Sequence, residues 1–328
     1  MKTSDPILFG PYGRGALDHA TRLREYGANA CWFHEFDDEA FEQCDRHGLA
    51  ACVEFKTFRA DFERRPDLIP IGIDGKPIRH PKPIQGVCPS KTDFLEETEA
   101  RLLDGVRKYR PAGVWLDYLT YAGWFETPTP DLQQSCFCDD CIAEFCEKTG
   151  TDATDAATIL ARQLSAWTRH KCERIARFAA RYTGIIRDNA PDCVVGAYMC
   201  PWKPDEFGGA IRRIFGQDYE LLAASIDVFT PLVYVKKCGR AADWGRRFLE
   251  KARDFVPPGP KVQLILDVQD FPDSFAAAAE ATPPSWGIQI FAGASVFERP
   301  SSANIFREGV EHIRANIRMP QDDNQDRS

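Results

Sequence analysis

The chain has 328 residues with a formal net charge of −8, 44% hydrophobic and 27% charged side chains, enough apolar material for a sizeable core. The acidic balance, with no basic stripe, excludes a nucleic-acid footprint, and no run approaches the roughly 20 apolar residues of a membrane span. Met1 to Pro6 lacks the apolar region of a signal peptide, so the expectation is a cytoplasmic protein whose 12 cysteines are reduced thiols or metal ligands, not a disulfide framework.

A first strand is predicted over residues 7–10, followed by a Gly-rich loop (11–15) and a helix over 16–26 that stops at Gly27. Residues 28–33 form a second apolar run ending in His34-Glu35. The helix over 38–47 is closed by Gly48, with Asp37 or Asp38 placed to cap it. The third strand, 49–53, ends on Glu54. A proline-rich connection over 56–90, turning at Asp74-Gly75, is long enough to read as a functional loop.

An amphipathic helix over 92–109 leads into Ala112-Gly113-Val114-Trp115-Leu116-Asp117-Tyr118, an apolar run that stops on a carboxylate. A second long insertion runs to Asp152, and a helical stretch covers 153–189. The fifth strand is 193–198 and the sixth 226–233, closing on Tyr198 and Tyr234, with helical pieces between 205 and 224. A helix over 243–255 ends at Pro257-Pro258-Gly259-Pro260. The seventh strand, 262–266, ends on Asp267; a helix over 274–281, an eighth strand over 287–296 ending near Glu298, and a last helix over 303–317 complete the chain.

Eight strand-helix units is the count that barrel closure needs, and strands buried on both faces read as continuous apolar runs. The predicted fold class is therefore α/β, a single (β/α)8 TIM barrel over 1–317 with long loops after strands 3 and 4 and a disordered tail over 318–328. A doubly wound open sheet is the runner-up, but it would be unusually large.

In such a barrel the chemistry sits where strands end. Glu35, Glu54, Asp117, Asp267 and Glu298 fall at five such ends. Each has the ordinary alternative of capping a helix or pairing with an arginine. Asp117 stands apart, because it lies between a very apolar strand and a very aromatic loop. Glycoside hydrolysis needs two carboxyl groups across the scissile bond with separated pKa values. Asp117 with Asp267, from opposite sides of the mouth, is the first predicted pair, with Glu54 and Glu298 in reserve.

Sugar rings also need flat platforms, for which Trp32, Tyr118, Tyr121, Trp124, Trp202, Tyr234 and Trp286 are candidates; for Trp32 and Trp286, core packing is the competing explanation. Tyr198 closes the fifth strand on the same side. His34, Lys56, Arg59, His80, Lys236 and Gln269 are placed to hold hydroxyls.

Gly113 to Tyr118, followed by Ser135-Cys136-Phe137-Cys138-Asp139-Asp140-Cys141-Ile142-Ala143-Glu144-Phe145, resembles the strand-four signature of uncharacterised glycoside-hydrolase-like barrel families related to the α-amylase and α-galactosidase superfamilies. Val53-Glu54-Phe55, Gly86-Val87-Cys88-Pro89 and Asp227 to Tyr234 are similar to their other recurrent blocks. The resemblance spans residues 28 to 235 in patches. It implies a barrel acting on a glycosidic bond of a carbohydrate substrate, with Asp117 as nucleophile or essential carboxylate and no catalytic cofactor. In those superfamilies the proton donor often follows strand five or six; here those strands end on tyrosines, which leaves the acid unassigned.

Cys136, Cys138, Cys141 and Cys146 lie within eleven residues, a spacing suited to a tetrahedral structural zinc, with Cys88 as the alternative fourth ligand to Cys146. Free thiols and disulfides are the competing explanations, while the spacing does not match the C-x3-C-x2-C of radical enzymes. Two other classes stay open. A metal-dependent isomerase or lyase would use Glu54, Asp117, Asp267 and Glu298 as ligands, assisted by His34 or His80. A degenerate barrel would bind a glycan or protein without turnover. The sequence leaves the oligomeric state open, a homo-oligomer included.

Overall fold

The computed structural model describes residues 7–78 and 84–318. Eight parallel strands close into a barrel: β1 (Leu8–Tyr12), β2 (Ala30–Phe33), β3 (Ala50–Lys56), β4 (Gly113–Asp117), β5 (Val194–Met199), β6 (Val228–Val233), β7 (Leu264–Asp267) and β8 (Gly287–Phe291). Each pairs with the next in chain order, and β8 returns to β1 through Leu8↔Gly287 to Tyr12↔Phe291. A two-residue strand, Lys261–Val262, extends the β6 ladder just before β7.

Local signals set the helices that surround the ring. The helix Asp38–His47 starts where the Asp37 carboxylate accepts from the Ala40 N–H and stops at Gly48 in the left-handed conformation, φ 64°. The amphipathic helix Thr92–Tyr109 packs against the 26-residue helix Leu164–Asn189. The insertion after β4 contains a helix, Asp139–Thr149, that the sequence reading left as loop. Its charged, cysteine-rich sequence hides a core face of only Cys141 and Phe145. The connection after β3 folds back as a short antiparallel ladder, Arg59–Asp61 against Ile84–Gly86.

Two boundaries differ in ways that matter. β1 runs on to Tyr12, so its last side chain reaches the mouth. β8 stops at Phe291: Ala292 turns the chain with φ 53°, and residues up to Val296 form a single 3-10 turn. The apolar run 293–297 is therefore turn packing, not strand.

The barrel interior is filled around Trp115, which is fully buried and meets Trp32 edge-on at 5.4 Å between ring centroids. Its indole N–H donates to Thr230 Oγ1 at 2.8 Å. Gly196 is its register partner on β5, and a Cβ there would lie 2.4 Å from the indole ring, so the large residue on β4 requires the small one on β5. Beside it the Tyr198 hydroxyl lies 2.7 Å from the Gln289 amide, which lies 2.7 Å from the Gln263 amide. This layer is the floor beneath the mouth. No helix among the described residues is long and apolar enough to cross a membrane.

Candidate active site

At the C-terminal ends of the strands lies a cavity of about 520 Å³. Its floor and walls come from the C-terminal parts of seven strands or the residues next to them: Tyr12, His34, Glu54, Lys56, Asp117, Tyr198, Tyr234 and Phe291. The loops add Arg59, Tyr118, Trp124, Glu126 and Lys237.

Its centre is a carboxyl pair. Glu54 on β3 and Asp117 on β4 are close enough that each shifts the titration of the other. The register makes this possible: Glu54 is level with Trp115 and Lys56 with Asp117, so the two acids point the same way one pleat apart on adjacent strands. Glu54 is 7% exposed and Asp117 half-buried. Burial pushes the Glu54 carboxyl well above its ordinary range, and the charge of Asp117 pushes it further, against the pull of Lys56. Asp117 is also raised by burial, but the Tyr118 N–H and the neighbouring Glu54 carboxyl hold it back. Glu54 therefore keeps the proton, and Asp117 is the first of the two to ionise.

Several groups fix this pair. The Tyr12 hydroxyl donates to Glu54 Oε2 and lies 2.6 Å from His34 Nδ1. His34 Nδ1 is 3.1 Å from the same carboxylate oxygen. Burial, then Lys56 and Arg59, lower the His34 pKa to about 4, so the ring is neutral at pH 7. Lys56 Nζ stands 3.6 Å from Glu54 Oε1. Thr57 clamps the backbone of Asp117, its N–H (2.9 Å) and hydroxyl (2.7 Å) both donating to the Asp117 carbonyl. The chain then turns at Tyr118 with φ 54°, a conformation that non-glycine residues adopt mostly where surrounding structure enforces it. That turn sets the Tyr118 ring under the Arg59 guanidinium, 5.6 Å from centroid to Cζ.

Of the residues singled out from sequence, His34, Glu35, Glu54, Lys56, Arg59, Asp117, Tyr118, Trp124, Tyr198 and Tyr234 line this cavity. Others do not. Asp267 is 3% exposed, bonded to Lys237 Nζ at 2.7 Å and to the Gln269 N–H at 2.9 Å, so it lies behind the lysine instead of facing Asp117. Glu298 follows the 3-10 turn and is exposed, away from the mouth, because β8 ends seven residues earlier at Phe291. Lys236 is also exposed, its ammonium bonded to the Gln269 carbonyl.

The neighbouring Lys237 enters the cavity, with Nζ over the Tyr234 and Phe291 rings at 4.3 and 4.9 Å. Trp202, 2% exposed, packs on Phe207 with centroids 4.2 Å apart; Trp32, Tyr121 and Trp286 are likewise core residues. His80 lies outside the described residues. Sequence reasoning missed Tyr12, Glu126, Lys237 and Phe291. Only the first had a local signal, an aromatic immediately before the Gly13 turn.

A second cluster braces the site. The Sγ atoms of Cys88, Cys136, Cys138 and Cys141 all lie within 4.8 Å of one another, so that they could hold a metal ion. Cys88 Sγ is 3.7 Å from Cys138 Sγ and 3.6 Å from Cys141 Sγ. A tetrahedron of thiolates about 2.3 Å from zinc has edges of about 3.8 Å, which these separations fit. The outer groups suit thiolates too: N–H donors from Ile71 (3.2 Å) and Ser90 (3.5 Å), and Arg174 Nη1 3.4 Å from Cys141 Sγ. Hydrogen bonds among the thiols draw Cys138 and Cys141 below the ordinary thiol range and push Cys88 and Cys136 above it. Cys146 is not part of the group; its thiol donates to the Ala153 carbonyl. Among the described residues no set of carboxylates and histidines gathers in this way.

This is the architecture of a (β/α)8 barrel with an acid-bearing cavity at the C-terminal ends of its strands. No protein-family model matches the chain, and no curated protein sequence matches it. Among solved structures it is similar to the PgaB (BpsB) glycoside hydrolase domain from Bordetella bronchiseptica, at TM-score 0.69 and 13% identity over 92% of this chain and 98% of that one. The β-galactosidase of the Antarctic haloarchaeon Halorubrum lacusprofundi gives 0.66 and 14%, over 94% and 58% of the two chains. A catalytic mutant of a GH42 β-galactosidase from G. stearothermophilus gives 0.65 and 13%, over 96% and 57%. The chain thus spans little more than half the length of the galactosidases, and at these identities the likeness is one of fold.

Proposed function

We propose that the protein is a glycoside hydrolase, or a transglycosidase of the same chemistry, acting with the Glu54–Asp117 pair. What supports this reading is the placing of two carboxyl side chains from adjacent strands, the buried one held by Tyr12 and His34, in one bowl walled by Tyr118, Trp124, Tyr198, Tyr234 and Phe291. Glu54, which holds its proton, delivers it to the leaving oxygen. Asp117, ionised, lies against the positive charge that develops on the sugar ring. Tyr12 and His34 position Glu54, and Tyr12 steadies its carboxylate once the proton has left.

Glu54 and Asp117 come from adjacent strands on one side of the barrel mouth, not from opposite sides of a bound sugar as the two-carboxylate mechanisms need. The pair therefore serves one face of the sugar. The other face is left to water or to Asp267, once Lys237 releases it onto substrate. A metal-dependent isomerase finds no support, because Glu54, Asp117, Asp267 and Glu298 do not converge.

The four cysteines, Cys88, Cys136, Cys138 and Cys141, hold a structural zinc in this reading. It ties the loop after β3 to the loop after β4 and so frames Asp117 without meeting substrate. The test is a panel of aryl glycosides with wild type, Asp117→Asn and Glu54→Gln. The wild type should turn over at least one, and each variant should fold, bind and lose about 100-fold or more in kcat. An Asn variant with wild-type turnover would sink the assignment.

A further inference from the structure

We propose that the saccharide taken by this site is anionic, and that Arg59 and Lys56 hold its carboxylate or sulfate. The inference rests on the reading above that the bowl takes a sugar. It begins from the arginine in the cavity wall. Arg14, Arg65, Arg174, Arg181, Arg187 and Arg212 pair with carboxylates, while Arg22, Arg107 and Arg213 bond carbonyl or amide oxygens. Arg59, in the cavity wall, pairs with none among the described residues, and its Nε is buried without a hydrogen-bond partner. The undescribed segment Arg79-His80-Pro81-Lys82-Pro83 contains no acid that could serve it.

The side chain is also pre-set. Arg59 starts the ladder with Ile84–Gly86, pairing with Gly86, and its guanidinium lies over the Tyr118 ring. A planar guanidinium held in this way in the cavity wall, with no carboxylate on it among the described residues, leaves its terminal nitrogens for a carboxylate or sulfate. Lys56, its Nζ 3.6 Å from Glu54 Oε1, adds a second positive charge to the same wall, so Arg59 and Lys56 outnumber the single ionised acid, Asp117, beside them.

The cationic strip continues. A second cavity of about 340 Å³ shares His34, Glu35, Glu54 and Lys56 with the first and adds Phe36, Phe55 and Arg101. Arg101 donates to the Lys56 carbonyl at 2.9 Å, and its guanidinium stands 5.1 Å from the Phe55 ring. It too has no carboxylate partner among the described residues. The acids sharing these walls outside the pair are Glu35, which lines both cavities, and Glu126, 3.9 Å from Lys237 across the bowl. An oligosaccharide anchored by one anionic group on Arg59 and Lys56 extends into this adjoining cavity, where Arg101 is the cation for the next.

The experiment is equilibrium binding by calorimetry to Asp117→Asn, which should not turn the ligand over. The probes are oligoglucuronides and oligogalacturonides of one to four residues, galactose 6-sulfate, and neutral galacto- and cello-oligosaccharides. We expect an acidic probe to bind at least tenfold more tightly than its neutral counterpart, with affinity falling as salt rises. Arg59→Met should weaken the acidic probe about 10- to 100-fold, Arg59→Lys should recover part of that loss, and neutral probes should change less than twofold. Arg101→Met should weaken only probes of two or more residues.

Neutral probes binding as tightly as acidic ones would overturn the inference, as would Arg59→Met weakening both alike. If Arg59→Met does not fold, the salt dependence and the Lys variant decide. Carboxylate and sulfate arms separate the two sources of anion. An acidic oligosaccharide bound through Arg59 but never cleaved by wild type would refute the hydrolase reading and leave this one standing. Neutral glycosides cleaved while acidic probes are ignored would do the reverse.

Discussion

Removing Cys138 should release a metal ion and cost the protein a large part of its stability. The magnitude follows from the loop that the site closes. Cys88 and Cys136 are 136 − 88 = 48 positions apart, and all four sulfurs fall within 4.8 Å. A cross-link closing a loop of that length removes about 4 kcal/mol of chain entropy from the unfolded state, by the relation used for disulfides, and a metal clip acts in the same way. At about 2 °C per kcal/mol for a chain of this size, the melting midpoint should fall by about 8 °C. Cys138 is the ligand to change because it is half-buried, so serine there leaves no core cavity, unlike at Cys88, Cys136 or Cys141.

The assay pairs zinc content by mass spectrometry with thermal unfolding, for wild type, Cys138→Ser and Cys146→Ser. About one zinc per chain is expected in wild type and in Cys146→Ser, whose thiol lies outside the cluster, and close to none in Cys138→Ser. Prolonged treatment with a strong chelator should reproduce the fall in wild type. If Cys138→Ser matches wild type in metal content and midpoint, the four thiols are only packed neighbours, and the reasoning from sulfur geometry fails.

Other outcomes follow from the carboxyl pair and the barrel floor. Folded Glu54 holds its proton to higher pH than the unfolded chain does, so its contribution to stability is complete below the ordinary carboxylate range and is lost as pH rises through the folded value. Glu54→Gln should therefore melt above wild type near pH 8, with the gap closing towards pH 4; a gap independent of pH would refute the sign. Tyr12→Phe removes a donor that favours the Glu54 carboxylate, so the alkaline limb of the kcat/KM profile should move to higher pH, and an unmoved limb would take Glu54 out of the chemistry. Gly196→Ala forces a methyl against the Trp115 indole and should destabilise by about 1 to 3 kcal/mol with altered tryptophan fluorescence, measurable by denaturant unfolding.

The alternation of apolar runs with amphipathic helices is local information, and it specifies eight strand-helix units and the strand end at Asp117, with Tyr198 and Tyr234 within one residue of theirs; β3 runs two residues past Glu54 to Lys56, because its pairing with β4 continues to Asp117. The cysteine spacing was local in the same sense, bringing Cys136, Cys138 and Cys141 onto one short segment. What the sequence could not specify is which strand ends face each other. Glu54 and Asp117 are 117 − 54 = 63 positions apart, and only the lateral register of β3 against β4 puts them side by side in one cavity. The same is true of Cys88, chosen over the much nearer Cys146 by the folding back of the loop after β3. Lys237 instead of Lys236, and the loss of Glu298 from the mouth, each turn on a single change of backbone direction, at the end of β6 and at Ala292. Periodicity records distance along the chain. Partners across a closed ring are fixed by hydrogen-bond register and side-chain packing between segments, and those forces act only once the ring has formed.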